Sequence, residues 1–209
     1  MKWVGRVFLA ITAMALAAPP SQAFKRIKTS SGDPVYWDDS SLPLSTRLNK
    51  KGSADDKQGS LAACDDAAES WNDVTNTSFS FSQLRRVSQS QANDTANAPD
   101  FKNLIVWREN NFPDEFGEGV LAVTISWFFT TGELVDSDII LNGEDFIFSD
   151  DLRPRTFDVY TVVLHEMGHV LGLDHVNKRK TIMYPFISEA ERKFLSNDDI
   201  KGVRAIYPP

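Results

Sequence analysis

The chain has 209 residues, of which 42% are hydrophobic, and it carries a formal net charge of −7 and a single cysteine. An acidic chain without a basic cluster lacks the electrostatic footprint of a protein that binds nucleic acid or an anionic membrane, so neither partner is expected. One cysteine cannot form an internal disulfide, so stability must come from the core or from bound metals.

Residues 1–23 have the pattern of a secretory signal peptide. Lys2 and Arg6 accompany the apolar run 7–18, and Ser21-x-Ala23 suits signal peptidase. The run is too short to span a membrane, so we predict a cleaved signal and a secreted, extracellular protein (periplasmic in a Gram-negative bacterium) with no stable membrane association. An uncleaved anchor is the alternative. Cleavage leaves 186 residues with a net charge of −9, enough for one domain with a substantial core.

The remaining chain alternates between strand and helix patterns. Residues 24–34 are polar and predict a linker, which places one domain over 35–209. Runs of β-branched, aromatic or alternating residues predict about five strands, at 35–37 with 44–48, 77–84, 103–107, 120–129 and 133–141. Apolar spacings of three and four, together with capping residues, predict three helices: 54–74, one that begins near Thr156 or Asp158, and 198–207 opened by Ser196 or Asn197.

The connections between these elements are polar. Residues 85–102 are rich in Ser, Gln, Asn and Asp and predict a mobile surface loop. The acidic loops 114–118, 133–145 and 150–151 are candidate calcium sites, because hard cations accept carboxylate oxygens, and solvated surface acids are the alternative. Cys64 lies on the apolar stripe of the first predicted helix, so we expect it to pack rather than to react.

All three histidines of the chain lie in the pattern H-E-x-x-H-x-x-G-x-x-H, residues 165–175. On a helix, His165 and His169 stand one turn apart on the same face and can bind one ion. Gly172 can end the helix in the left-handed conformation, and the chain can then bring His175 round as a third ligand. Three neutral histidines leave a fourth position for water, as in catalytic zinc sites, and Glu166 is placed to take the proton of that zinc-bound water.

The competing interpretation is an ordinary buried helix whose histidines are satisfied polar groups. That interpretation has weight for an isolated H-E-x-x-H. Here five specified positions coincide and no histidine occurs elsewhere. The sequence therefore favours one catalytic zinc ion bound by His165, His169 and His175.

Further residues match a known family. Met183-Tyr184-Pro185 follows the zinc motif, and the pattern Leu195-Ser196-x-Asp198-Asp199-x-x-Gly202-x-x-x-Ile206-Tyr207 covers the last predicted helix. With these anchors, the chain from about residue 35 to 209 resembles the metzincin metallopeptidases, and among them the matrixins. The resemblance implies an α+β, zincin-like catalytic domain with a twisted mixed sheet of about five strands and three helices. Its active-site cleft would lie between a larger N-terminal and a smaller C-terminal subdomain.

The resemblance also implies individual roles. The three histidines would be the zinc ligands, Glu166 the general base, and Met183 a hydrophobic floor beneath the metal. Residues 119–122 would start the edge strand that pairs with an extended substrate, and 185–187 would form one wall of the pocket for the side chain after the cleaved bond. Ile187 stands where the family usually has tyrosine, so the shape of that pocket is left open.

The residues that two features of the family require are missing from this sequence. The cysteine of the latency segment has no counterpart, because Cys64 is the only cysteine and stands in a different context. No thiol switch is therefore expected. The second, structural zinc of the family also uses histidines, and none is left for it, so that site is expected to be absent.

The sequence thus predicts a secreted, monomeric zinc-dependent endopeptidase, similar to the metalloproteases of the extracellular matrix, that hydrolyses extended protein or peptide substrates. Two alternatives stay open: a secreted zinc amidase acting on a non-protein substrate, and a catalytically inactive zinc-binding protein. Glu166 counts against the inactive protein, since a mere metal holder needs no base. The substrate cleft that the resemblance implies counts against the amidase.

Overall fold

A computed structural model describes residues 24–88 and 98–209 in full and the backbone of residues 3–12. Within these residues the chain forms three α-helices, α1 (Lys57–Asn72), α2 (Val159–Val170) and α3 (Asn197–Ile206). They combine with a mixed sheet whose five strands after residue 24 confirm the predicted α+β class. The three helices confirm the number expected from the sequence.

The strands are β1 (Trp3–Thr12), β2 (Lys25–Arg26), β3 (Arg47–Asn49), β4 (Arg85–Val87), β5 (Leu104–Arg108), β6 (Val120–Phe129), β7 (Leu134–Asn142), β8 (Phe148–Ser149), β9 (Phe157–Asp158) and β10 (Leu173–Asp174). The large sheet has the order β1-β6-β7-β5-β3-β4. Strands β4, β3, β5 and β7 run parallel, whereas β6 is antiparallel to β7. Without β1, strand β6 is therefore the antiparallel edge of the sheet.

The N-terminal region meets the domain at two places. Strand β1, which falls within the predicted signal peptide, pairs antiparallel with β6, and Ile11 lies opposite Ala122. Residues 1–2 and 13–23 of that predicted signal lie outside the described residues. The stretch predicted as a linker packs on the domain, because β2 pairs with β10 and Ile27 is buried. No helix in the described part of the chain is long and apolar enough to cross a membrane.

The predicted strand boundaries hold in the centre of the sheet and fail at its far edge. Strand β6 has the predicted bounds. The strand predicted at 77–84 is reduced to a single parallel bridge between Phe81 and Leu44, and β4 begins at Arg85 inside a predicted loop. Phe79 and Phe81 are both buried in the main core, where their rings pack edge-to-face at 4.9 Å, so the segment shows the alternation of a strand although it forms only one bridge. The rest of the predicted loop includes 89–97, which lies outside the described residues.

Both faces of the sheet are covered. Ile105 and Trp107 of β5 belong to the main core, which includes α1 and α2, whereas Leu104 and Val106 belong to a second cluster with Phe112. This alternation is the two-residue period of a strand buried on both sides. In α1, Cys64 is fully buried, and burial raises the pKa of its thiol, which confirms the predicted packing role.

Helix α2 is the centre of the fold, and every one of its residues is buried. Asp158 caps its first turn by accepting a hydrogen bond from the N–H of Thr161. The indole N–H of Trp71 donates to the carbonyl of Leu164 at 3.1 Å. The indole of Trp37 donates to a carbonyl in the last turn of the same helix. These contacts fix α2 against rotation, and the histidines that it carries are fixed with it.

Candidate metal centre

A sharp turn after α2 brings the third histidine back towards the first two. The helix ends at Val170, and Gly172 has a φ of +96°, which is the left-handed conformation that favours glycine. A Cβ atom at Gly172 would lie 3.0 Å from the carbonyl oxygen of Val35, so the position also lacks room for a side chain. Strand β10 follows and delivers His175. The turn predicted at Gly172 is confirmed.

The three imidazoles converge on one point. The Nε2 atoms of His165 and His175 are 3.0 Å apart, and that of His169 lies 3.1 Å from each of them. Tetrahedral zinc with its usual zinc–nitrogen bonds places its ligand atoms about 3.3 Å apart. The triangle therefore has the size that one zinc ion requires.

The tautomers of two rings are set by backbone carbonyls. Nδ1 of His165 lies 2.6 Å from the carbonyl oxygen of Ile182, and Nδ1 of His169 lies 2.8 Å from that of Leu173. A carbonyl can only accept, so each Nδ1 carries the proton and each neutral ring presents a lone pair at Nε2. Two such lone pairs cannot hydrogen-bond to each other at 3.1 Å. A cation between them satisfies both, so the residues present fit a bound metal.

The surroundings keep the three imidazoles neutral. Burial is the main cause that lowers the pKa of His165 and of His169 well below the ordinary value, and the neighbouring His175 lowers both further. Burial also lowers the pKa of His175 to about 4, although Asp174 acts in the opposite direction. Only neutral imidazole binds zinc, so the site is ready for the ion at neutral pH.

Glu166 lies beside these ligands on α2 and is fully buried. The hydroxyl of Thr124, on β6, donates to Glu166 Oε2 at 2.5 Å and lies 3.2 Å from the backbone carbonyl oxygen of Glu166. The carboxylate is thus held between α2 and β6. Thr124 could not be predicted as part of the site, because nothing local to the β-branched run of β6 indicates a partner 42 residues away.

Met183 packs against α2 from a turn that α3 secures. Its side chain is buried, and a Cβ atom at Gly168 would lie 2.3 Å from its sulfur, so the thioether packs directly on the backbone of α2. The buried carboxylate of Asp199 accepts hydrogen bonds from the N–H groups of Ile182 at 3.0 Å and Met183 at 3.4 Å. Helix α3 therefore positions both the floor of the site and the carbonyl that orients His165.

A family model described as matrixin, of the M10 peptidases, matches residues 36–208. The chain belongs to the matrixin family. This confirms the resemblance seen in the zinc motif and in the last helix, and it identifies the described domain as a metallopeptidase domain. The matched residues contain the whole of the three-histidine centre.

Individual matrixins are similar to parts of the chain. Interstitial collagenase of Oryctolagus cuniculus is 31% identical over 149 residues, which are 70% of this chain and 28% of the collagenase. Metalloendoproteinase 2-MMP of Arabidopsis thaliana is 39% identical over 70 residues, 31% of this chain and 18% of the relative. Metalloendoproteinase 1 of Glycine max is 48% identical over 52 residues, 24% of this chain and 17% of the relative. The chain thus matches less than a third of the length of each relative.

The segment after Met183, predicted as a pocket wall from the family resemblance, is held in place by Lys193. The ammonium of Lys193 donates to the carbonyl of Phe186 at 2.9 Å and lies 5.1 Å from the ring centroid of Tyr184. Ile187, which replaces the usual tyrosine, is buried in the core. The contact of Lys193 with this segment could not be predicted from the sequence, because only the fold brings the two together.

Across residues 24–88 and 98–209, the three histidines form the one group of three or more His, Cys, Asp or Glu side chains with ligand atoms close enough to share an ion. The acidic loops proposed for calcium gather no such group of side chains. Asp136 and Asp138 of the 133–145 segment are buried within β7, and Asp136 accepts hydrogen bonds from the backbone of Asp100 and Phe101. The metal centre that the described residues carry is therefore the histidine site.

Proposed function

We propose that this matrixin is a secreted zinc endopeptidase that hydrolyses peptide bonds in extended protein or peptide substrates. The observation that carries the proposal is the convergence of three neutral imidazole Nε2 atoms on one point, with the buried Glu166 adjacent to the ligand His165 on α2. The names of the relatives, metalloendoproteinase and interstitial collagenase, describe enzymes of this kind. Their likeness supports extending the same activity to this chain.

His165, His169 and His175 would hold the metal. When bound, zinc would supply a Lewis acid that polarises the scissile carbonyl and makes water more acidic. Glu166 would take a proton from the attacking water as its oxygen bonds to the carbonyl carbon. It would then give that proton to the amine nitrogen as the carbon–nitrogen bond breaks. One carboxylate can both take and return the proton. Glu166 is buried, so bulk water would not compete for that proton.

The outer edge at the start of β6, residues 119–122, is the proposed substrate-binding strand. In the full chain, β1 pairs antiparallel with this edge from Val120 onwards. Because β1 lies within the predicted signal peptide, its removal would leave the backbone groups of the edge free. An extended peptide could then add to the sheet in the same antiparallel sense. The edge lies next to Glu166, since Thr124 of β6 contacts its carboxylate.

Two rival functions make different demands on the same residues. A catalytically inactive zinc-binding protein does not require a carboxylate beside its ligands, so Glu166 favours an enzyme. An amidase acting on a non-protein substrate does not require a strand edge beside the metal, so β6 favours a peptidase. We propose that the enzyme acts outside the cell, because residues 1–23 have the pattern of a signal peptide, and that it does not bind nucleic acid or anionic membranes, because its net charge is acidic.

The decisive experiment is hydrolysis of a mixed peptide library by the chain without residues 1–23. Wild-type protein is compared with a chelator-treated sample and with Glu166→Gln and His169→Ala. We expect cleavage by the wild type alone, with zinc content normal in Glu166→Gln and lost in His169→Ala. Normal cleavage by Glu166→Gln would contradict the assigned base. No cleavage by a folded, zinc-loaded wild type would favour the amidase or the binding protein.

A further inference from the structure

Thr124 places a hydroxyl against the carboxylate of Glu166, at a position otherwise surrounded by apolar residues of β6. We propose that Thr124 is a positioning residue, which holds Glu166 in the orientation that proton transfer requires. The inference rests on the proposed role of Glu166 as general base. It adds a residue of the sheet to a site whose other members come from α2, β10 and the turn that follows.

The contact is rigid on both sides. Thr124 and Glu166 are both fully buried, and the hydroxyl-to-Oε2 distance is 2.5 Å. The shorter of the two hydroxyl contacts is to the side chain, and the backbone carbonyl of Glu166 lies farther away at 3.2 Å. A β-branched side chain on a strand has little rotameric freedom, so the hydroxyl cannot readily turn away from the carboxylate. Each partner therefore restricts the other.

The composition of β6 makes this hydroxyl stand out. Leu121, Ala122, Val123 and Ile125 surround Thr124 in sequence, and all are buried. A buried hydroxyl costs free energy unless it is hydrogen-bonded, and valine has nearly the same shape without that cost. The partner that satisfies Thr124 is Glu166 itself. The carboxylate of Glu166 thus explains why a hydroxyl-bearing residue stands at position 124. The packing of the strand alone would not require one.

The geometry assigns different tasks to the two oxygens of the carboxylate. Oε2 accepts the hydrogen bond of Thr124, which stops the carboxylate from rotating about its last side-chain torsion. The other oxygen, Oε1, would then be the one that takes the proton of the water. Orientation of this kind contributes to the chemical step and leaves the binding of substrate at the β6 edge unchanged. Loss of the hydroxyl should therefore lower kcat and leave KM as it is.

Four variants test this assignment in the chain without residues 1–23. Thr124→Val removes the hydroxyl and keeps the side-chain volume, whereas Thr124→Ala removes both. Thr124→Ser keeps the hydroxyl. Ser126→Ala is the matched control, since Ser126 is a buried hydroxyl on the same strand that pairs with Ser137 at 2.8 Å and not with the site. The measurements are kcat, KM, thermal unfolding and zinc affinity by chelator competition.

We expect kcat to fall by about ten- to a hundredfold in Thr124→Val and Thr124→Ala, the effect of losing a hydrogen bond to a charged group, with KM within about twofold. Thr124→Ser should recover most of kcat, Ser126→Ala should keep it, and zinc affinity should be unchanged in all. If Thr124→Val does not fold, kcat of Thr124→Ala compared with kcat of Thr124→Ser tests the proposal. Equal kcat in wild type and in the folded variants without the hydroxyl would overturn the proposal.

The double variants separate this proposal from the proposed function. In the Glu166→Gln background, Thr124→Ala should cause no further loss, because no base remains to be held. An active Glu166→Gln protein would remove the proposed function and this inference with it. An inactive Glu166→Gln protein together with full activity in Thr124→Ala would remove the inference alone.

Discussion

The sulfur of Met183 occupies the space that a side chain at Gly168 would need, 2.3 Å from the position of its Cβ atom. We predict that Gly168→Ala destabilises the zinc-loaded protein by about 1 kcal/mol. Alanine in a helix gains about 1 kcal/mol over glycine, but overpacking of a core costs about 1–3 kcal/mol, and here the cost should win. Denaturant unfolding at equilibrium measures the difference.

The control for this prediction removes the opposing side chain. In a Met183→Ala background, Gly168→Ala should be neutral or stabilising, because the space beneath α2 is then empty and the helix propensity of alanine acts alone. Gly168→Ala that stabilises the protein with Met183 present would show that the sulfur moves away at little cost. The close packing of the floor against α2 would then have no energetic importance.

The pH dependence of stability should report on Asp199. Burial is the main cause that raises the pKa of Asp199, although its hydrogen bonds with Ser196, Ile182 and Met183 act in the opposite direction. The folded state then binds this proton more tightly than the unfolded chain does. Its contribution to stability is present below the ordinary carboxyl pKa of about 3.8 and is lost as the pH rises through the folded value.

We therefore expect the stability of the wild type relative to Asp199→Asn to decrease as the pH rises from about 3.8 upwards. The asparagine variant lacks the titrating group, so subtraction of the two curves cancels the other carboxylates. The measurement is the free energy of unfolding of both proteins at a series of pH values. Parallel curves would mean that Asp199 titrates alike in the folded and unfolded states.

The metal centre could be predicted from the sequence because its signals are local. One helical turn relates His165 to His169, Gly172 marks the end of the helix, and Asp158 and Ser196 are caps whose partners lie three residues away. Each of these relations is decided by backbone geometry within a few residues. The pattern of one short stretch therefore predicted that the three histidines come together, where the helix turns, and which carboxylate lies next to His165.

What could not be predicted depends on contacts between distant segments. The bond from Thr124 to Glu166 and the hydrogen bond from Lys193 to Phe186 exist only once β6, α2 and the last loop have packed. The error at 77–84 has the same origin. The ring of Phe79 packs 4.9 Å from that of Tyr207, a distant partner in the core, while the segment itself forms one bridge, from Phe81 to Leu44, instead of a full strand. Alternation of apolar and polar residues indicates which side chains are buried. It does not show that the backbone pairs with a neighbouring strand.

The start of α2 depends on an ion pair with Arg192. The guanidinium donates to Asp158 at 2.6 Å and to Asp150 at 2.5 Å, and the side chain of Asp158 is fully buried. These carboxylates raise the pKa of Arg192, with the hydrogen bond to Asp158 as the largest cause. Asp158 is also the cap of α2, accepting from the N–H of Thr161 at 3.0 Å. Loss of Arg192 would leave this carboxylate buried without its cation.

We predict that Arg192→Met costs about 3–5 kcal/mol of stability, the usual effect of removing one partner of a buried ion pair. Arg153→Met is the matched control, because Arg153 pairs with Asp151 while their side chains are 49% and 58% exposed, and such pairs contribute about 1 kcal/mol or less. Adding Asp158→Asn to Arg192→Met should recover part of the loss, since no buried charge then remains. Equal effects of the two arginine substitutions on equilibrium unfolding would show that the Asp158 carboxylate finds solvent or another donor, and that Arg192 does not secure the start of α2.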